Sequence, residues 1–196
     1  FKPGHRKDVE LFLDAKMLLA PLRWKRPRMV FVCSMTDLFA EFVPDEWIER
    51  IFAVMAMCPQ HTFQVLTKRA ERMQAWTTGW RPNTLTERGR EWPLPNIWLG
   101  VSAERQQEAD ERLPYLTNSP AAVRFLSAEP LLGPILLQHR ELIDGKVRNW
   151  LGEGGLNWTI VGGESGRKAR PMHPDWVRSL RDQHAGSGAA FLFKKH

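Results

Sequence analysis

Hydroxyl, acidic and basic side chains in this chain recur directly behind short apolar runs. Met29 to Cys33 is followed by Ser34, Thr36 and Asp37, and Thr62 to Leu66 by Thr67, Lys68 and Arg69. Ile97 to Val101 leads to Ser102 and Glu104, and Val123 to Leu126 to Ser127, Glu129 and Pro130. Trp158 to Val161 leads to Gly162, Gly163, Glu164 and Ser165, and Phe191 to Phe193 to Lys194 and Lys195. Groups of both charge signs gathered in this way suit a ligand that carries amine, carboxylate, hydroxyl or phosphate groups. The same residue types also cap helices and start loops in any α/β protein, so each position has a plain structural reading beside the functional one.

Within this set the Gly162-Gly163-Glu164-Ser165-Gly166 turn is the most specific. Glycines after a strand permit close backbone approach or positive φ, and exposed amides there can cradle an anion or a cofactor carboxylate while Glu164 takes an amine or a ribose hydroxyl. The alternative is a tight turn in which Glu164 pairs with Arg167 or Arg170. Lys68 and Lys194 come from distant strands and face one cavity if the sheet curls. There they bind carboxylate or phosphate, act as acids with a depressed pKa, or form salt bridges to Asp37, Glu129 or Glu164. His61 and His173 sit by proline-containing turns and read as hydrogen-bonded structural histidines. No His, Cys or carboxylate grouping has metal-ligand spacing, and neither a nucleophile elbow nor a Walker-type loop is present.

The elements that must position these residues follow from periodicity. The six apolar runs are short and nearly continuous rather than alternating, which predicts buried parallel strands covered on both faces. Trp47, Ile48, Ile51, Phe52 and Met55 form a helical stripe over Glu46 to Met57, opened by Pro44 and Asp45 and stopped by Pro59. Further helices are predicted over Arg69 to Trp76, Glu104 to Leu116 with an interruption at Pro114, and Pro174 to His184. Residues 77–95 and 138–157 break the rhythm as rim excursions. The β-α succession predicts six parallel strands with right-handed crossovers, either an open doubly wound sheet or a partial (β/α) barrel.

Composition bounds the class. A chain of 196 residues with 43% hydrophobic and 26% charged residues suits one globular α/β domain. No apolar run reaches the roughly 20 residues of a membrane-spanning helix and no signal peptide is seen, so a cytoplasmic protein with no membrane association is expected. Cys33 and Cys58 are the two cysteines, each among apolar neighbours, and read as reduced, buried thiols. The formal charge of +6 favours phosphate-bearing partners and admits weak nucleic-acid association. Its candidate carriers are the basic stretch Arg23, Lys25, Arg26 and Arg28 around Trp24, and Trp76, Trp80 and Trp92 beside Arg81, Arg88 and Arg90. The plain reading, which is preferred, is a solvated linker for the basic stretch and a cover over the core for the tryptophans.

Several segments carry a resemblance, in order, over nearly the whole chain. They are Phe31-Val-Cys-Ser-Met-Thr-Asp-Leu-Phe39, Phe63-Gln-Val-Leu-Thr-Lys-Arg69, Asn96-Ile-Trp-Leu-Gly-Val-Ser102, Arg124-Phe-Leu-Ser-Ala-Glu-Pro-Leu-Leu-Gly-Pro134, Trp158-Thr-Ile-Val-Gly-Gly-Glu-Ser-Gly166 and Arg170-Pro-Met-His-Pro-Asp-Trp176. Together these resemble the phage gene-product thirty-seven / sixty-eight family. The resemblance implies a radical-SAM-like partial (β/α) barrel and, in a complete protein, S-adenosylmethionine with a 4Fe-4S cluster held by cysteines upstream of the region seen here. The chain opens on Phe1, which suggests a missing upstream segment; taken alone it supports no cofactor and is expected to be inactive. Lys194-Lys195-His196 departs from the family, which continues with glutamine and tryptophan after the first lysine. By this analogy Ser102, Glu104, Glu129, Gly162, Gly163 and Glu164 line the cofactor side, and Asp37, Lys68 and Lys194 the side of an unknown substrate. A non-catalytic nucleic-acid-associated module, or a degenerate barrel kept for protein contacts, is the alternative.

Overall fold

A computed structural model of the chain describes residues 11–80, 91–138 and 149–195. Its six strands are β1 (Met29–Val32), β2 (Thr62–Thr67), β3 (Ile97–Ser102), β4 (Val123–Ala128), β5 (Trp158–Gly162) and β6 (Ala190–Lys195). They pair in sequence order, every neighbour parallel. A doubly wound sheet reverses its order midway, so the unbroken order selects the barrel alternative. β1 and β6 each keep one unpaired edge, and the sheet forms a half-barrel.

The helices among the described residues are α1 (Ala15–Leu19), α2 (Asp45–Met57), α3 (Ala70–Gly79), α4 (Gln106–Thr117) and α5 (Pro174–His184). α2, α3, α4 and α5 connect β1 to β2, β2 to β3, β3 to β4 and β5 to β6. α2 begins with Asp45 and Glu46, which favour the positive end of the helix dipole, and buries Ile48, Phe52 and Met55 on its inward stripe. α4 begins two residues later than the pattern predicts, which leaves Glu104 in the loop behind β3, and it continues through Pro114 without ending there. α1 was not legible from periodicity; Asp14 caps it by accepting from the amides of Lys16 and Met17.

Alternate residues of the strands divide between two faces. The outward set, including Val65, Leu99, Val101, Leu126 and Val161, is fully buried in the core. The register places three inward rows side by side: Phe31, Gln64 and Trp98; Leu66, Gly100, Phe125 and Trp158; Ser102, Ser127, Ile160 and Leu192. The expectation of cover on both faces holds for the central strands and fails at the edges. Phe31 and Leu192 are 43% and 45% exposed, because an open half-barrel has no strand beyond them to close the concave side.

The aromatic residues raised as base-stacking candidates have structural work. Trp76, Trp80 and Trp92 pack around Phe52, with ring centroids 4.6, 5.4 and 5.9 Å away. Trp24 lies edge-on to His61 at 5.4 Å and carries the Arg28 guanidinium 4.7 Å from its centroid. His61 is buried; its Nδ1 accepts from the Arg28 amide and its Nε2–H is left to donate to the Pro21 carbonyl. His173 accepts from the Asp175 amide at the start of α5. Both are hydrogen-bonded structural histidines. Arg81, Arg88 and Arg90 lie outside the described residues.

Candidate functional site at the strand ends

The polar residues behind the strands assemble on one rim in two adjoining groups. The first lies behind β1, β2 and β3. Asp37 is a clamp: its Oδ1 accepts from the Thr67 hydroxyl at 2.7 Å and the Phe39 amide at 3.0 Å, and its Oδ2 from the Lys68 amide at 2.9 Å. These bonds tie the β1 loop to the end of β2 and leave the carboxylate little capacity for a ligand. Glu104 is buried and takes Lys68 Nζ on one oxygen and Arg112 Nη1, at 3.4 Å, on the other. Burial pushes its pKa up, but the bond to Lys68 and the charges of Lys68 and Arg112 outweigh that and hold the carboxyl below its ordinary value. Arg112 also donates to the Ser102 carbonyl at 2.7 Å. Lys68, Arg69 and Arg112 line a pocket of about 520 Å³ that opens between α3 and α4.

The second group surrounds the C-terminal mouth of the concave face, a cavity of about 660 Å³. Leu66, Ile160 and Leu192 contribute its apolar floor, Phe31 and Gln64 its β1 and β2 side, and Glu129, Gly163, Glu164, Lys194 and Lys195 its polar side. Lys194 Nζ lies 3.3 Å from Glu129 Oε1, and the Ser127 hydroxyl donates to Glu129 Oε2, also at 3.3 Å. Both contacts are long for bonds to a carboxylate, whose optimum is about 2.7–2.9 Å, so Glu129 is held loosely. Glu164 is held tightly. Arg170 donates to it from Nε at 2.8 Å, from Nη2 at 2.7 Å and from its own amide at 2.7 Å. These hydrogen bonds lower the Glu164 pKa to about 2. Lys195 donates to the Ser165 hydroxyl, and its carbonyl accepts from the Gly163 amide at 3.0 Å.

The glycine turn works by close approach. Neither Gly162 nor Gly163 has positive φ, whereas Gly166 does, at 113°. A Cβ on Gly162 would stand 2.7 Å from Glu129 Oε1, so the missing side chain is what lets Glu129 lie across the end of β5. The Gly163 amide is already satisfied by Lys195 and is not an open anion cradle.

The structure thus brings Glu129, Gly163, Glu164 and Lys194 to one cavity, with Gly162 beneath Glu129. It gathers Asp37, Lys68, Ser102 and Glu104 around Arg112 and Thr67 behind the neighbouring strands. Lys68 and Lys194 border different cavities. The residues assigned to a cofactor side and a substrate side pair with each other, Glu104 with Lys68 and Glu129 with Lys194, so the rim is divided by strand position rather than by charge. Arg112 and Gln64 escaped the sequence reading. Arg112 lies well inside a helix, but Gln64 was detectable as an amide within an otherwise apolar inward row.

The fold and site define a parallel (β/α) half-barrel with a charged cavity at the carboxyl ends of its strands, the position at which such folds bind ligands. The chain belongs to the family described as protein of unknown function (DUF5131), whose model matches residues 4–196. Neither a curated protein nor a solved structure matches it.

Proposed function

We propose that the cavity at the strand ends is the ligand site of an S-adenosylmethionine-dependent radical enzyme of the phage gene-product thirty-seven / sixty-eight type, this chain forming the barrel wall. The observation that carries the reading is Glu129: a loosely held carboxylate beside the Lys194 ammonium, over an apolar floor, in a cavity of a size that suits a small ligand. A zwitterionic amino-acid end meets both charges it needs there, its ammonium at Glu129 and its carboxylate at Lys194. Leu66 and Ile160 offer apolar surface to a purine and keep water from it. Arg170 neutralises Glu164, so the rim does not repel a ligand carboxylate.

Reductive cleavage of S-adenosylmethionine is the chemistry the cofactor supplies when bound beside a reduced iron-sulfur cluster. The described residues do not fit such a cluster: no group of three His, Cys, Asp or Glu side chains among them is placed to hold a metal ion. Cys33 and Cys58 are free thiols whose pKa values burial raises, but of the two expected to be buried only Cys58 is, Cys33 being half-buried at the end of the open edge strand. In this proposal the residues of the cavity bind and orient the ligand.

Isothermal titration of the chain with S-adenosylmethionine tests the proposal. Saturable binding, weakened tenfold or more in Glu129→Gln and little in Glu104→Gln, is the expected result. Absence of saturable binding, or equal loss in both variants, refutes it.

A further inference from the structure

Along the first two inward rows of the half-barrel Gln64 is the one amide. Phe31, Gln64 and Trp98 stand side by side on β1, β2 and β3, and Leu66, Gly100, Phe125 and Trp158 follow them toward the strand ends. Trp98 gives its one donor to the Pro95 carbonyl at 3.2 Å. Gln64 is 6% exposed, so its amide is almost wholly out of bulk water, and a primary amide held there needs partners at both ends. Only one end has a partner among the described residues. Nε2 donates to the Met29 sulfur at 3.2 Å, and since a thioether has no proton to give, that contact fixes the amide with its nitrogen toward Met29. Oε1 takes no hydrogen bond from any described residue, yet it is not sealed from solvent, so it opens on the cavity that Gln64 lines. The cavity thus presents a lone acceptor in apolar surroundings, beside Leu66 and beside Phe31, whose ring is 43% exposed.

We propose that Gln64 selects the ring of the ligand: Oε1 accepts from the exocyclic amine of an adenine-type base that lies on Leu66 with Phe31 at its side. The inference rests on the reading of the cavity as a cofactor site and adds the group that reads the base. An aromatic face supplies stacking that any base satisfies, whereas an amide fixed in one orientation distinguishes a ring that carries an amine from one that does not. A ring without a donor leaves Oε1 desolvated and unpaired, and a keto oxygen there sets acceptor against acceptor. The same chemistry belongs to the adenine of S-adenosylmethionine and to the base of a separate nucleoside.

The test is calorimetric titration of the chain with adenosine and with purine riboside, which lacks only the exocyclic amine. Adenosine is expected to bind at least about fivefold more tightly. Gln64→Met keeps the length of the side chain and suits an apolar row, so it should melt no lower than the parent and lose the preference by weakening adenosine alone. Phe31→Ala should weaken both nucleosides about five- to a hundredfold through lost stacking and keep their ratio. Equal binding of the two by the parent, no saturable binding of adenosine, or a preference that survives Gln64→Met overturns the proposal. Competition identifies the source of the ring. Displacement of adenosine by S-adenosylmethionine marks the cofactor's own base, and simultaneous binding marks a separate nucleoside; either supports the proposal. A Gln64-dependent preference for adenosine in a protein that ignores S-adenosylmethionine leaves this inference standing and sinks the cofactor proposal. Glu129-dependent binding of S-adenosylmethionine in a protein that takes the two nucleosides alike does the reverse.

Discussion

Gly100→Ala is the sharpest probe of how the concave face is built. Gly100 lies in the middle inward row beside Phe125, and a Cβ there would stand 2.5–2.6 Å from three atoms of the Phe125 ring. Carbon atoms rest at about 3.5–4.0 Å, so the ring must retreat by roughly 1 Å or more. It has little room to do so. Phe125 is fully buried, and Trp158 stands behind it with centroids 5.7 Å apart. Overpacking of this kind costs about 1–3 kcal/mol, and a chain of this size loses roughly 2–4 °C of Tm per kcal/mol. A fall of about 2–12 °C by calorimetry or circular dichroism is therefore expected. Shortening the ring in Gly100→Ala/Phe125→Leu should make the double variant more stable than the two single losses together imply. A Gly100→Ala protein melting within 1 °C of the parent, or strict additivity in the double variant, refutes the packing argument.

Gly162→Ala pushes the flexible end of Glu129 rather than backbone, so the melting temperature should move by no more than about 2 °C while S-adenosylmethionine affinity falls about tenfold; unchanged affinity would remove Glu129 from the site. Glu104, held below its ordinary pKa, contributes stability that is complete above the unfolded value of about 4.3 and is lost as pH falls through the lower folded value. The stability difference between the parent and Glu104→Gln should accordingly shrink below about pH 4 in a melting series. Lys68→Met, at a side chain 47% exposed, should cost about 1 kcal/mol or less. Burial lowers the pKa of His184, whose Nδ1 lies 2.7 Å from the Leu180 carbonyl and whose Nε2 lies 2.9 Å from the Thr159 hydroxyl. Its contribution is complete above the unfolded value of about 6.5 and declines below it, so His184→Gln should flatten the pH dependence of Tm just under that value.

The fold was legible where local pattern and tertiary packing agree. The apolar runs found all six strands to within a few residues, since buried parallel strands advertise themselves by continuity, and Pro174 to His184 matched α5 at both ends. α1 was missed because its five residues carry no periodicity long enough to read. Glu104 was placed in a helix because acidic residues favour first turns, whereas its pairing with Lys68 and Arg112 keeps it in the preceding loop. At the site, the positions at the strand ends could be read, and the pairings of Glu164 with Arg170 and of Lys194 with Glu129 were among the alternatives the sequence offered. The pairing of Lys68 with Glu104 was not, and nothing local says that the glycine turn accommodates the Glu129 carboxylate. Such pairings are set by sheet register, which only the assembled strands possess.

In a closed barrel, strand number and shear together fix the bore. The unpaired edges of β1 and β6 release this chain from that constraint, so the separation between Phe31 on one edge and Lys195 on the other is governed by the twist of five strand pairs. Twist is a soft variable. A pocket bounded in this way is open along its flank, and its width can follow a change in sheet twist without breaking a strand pair.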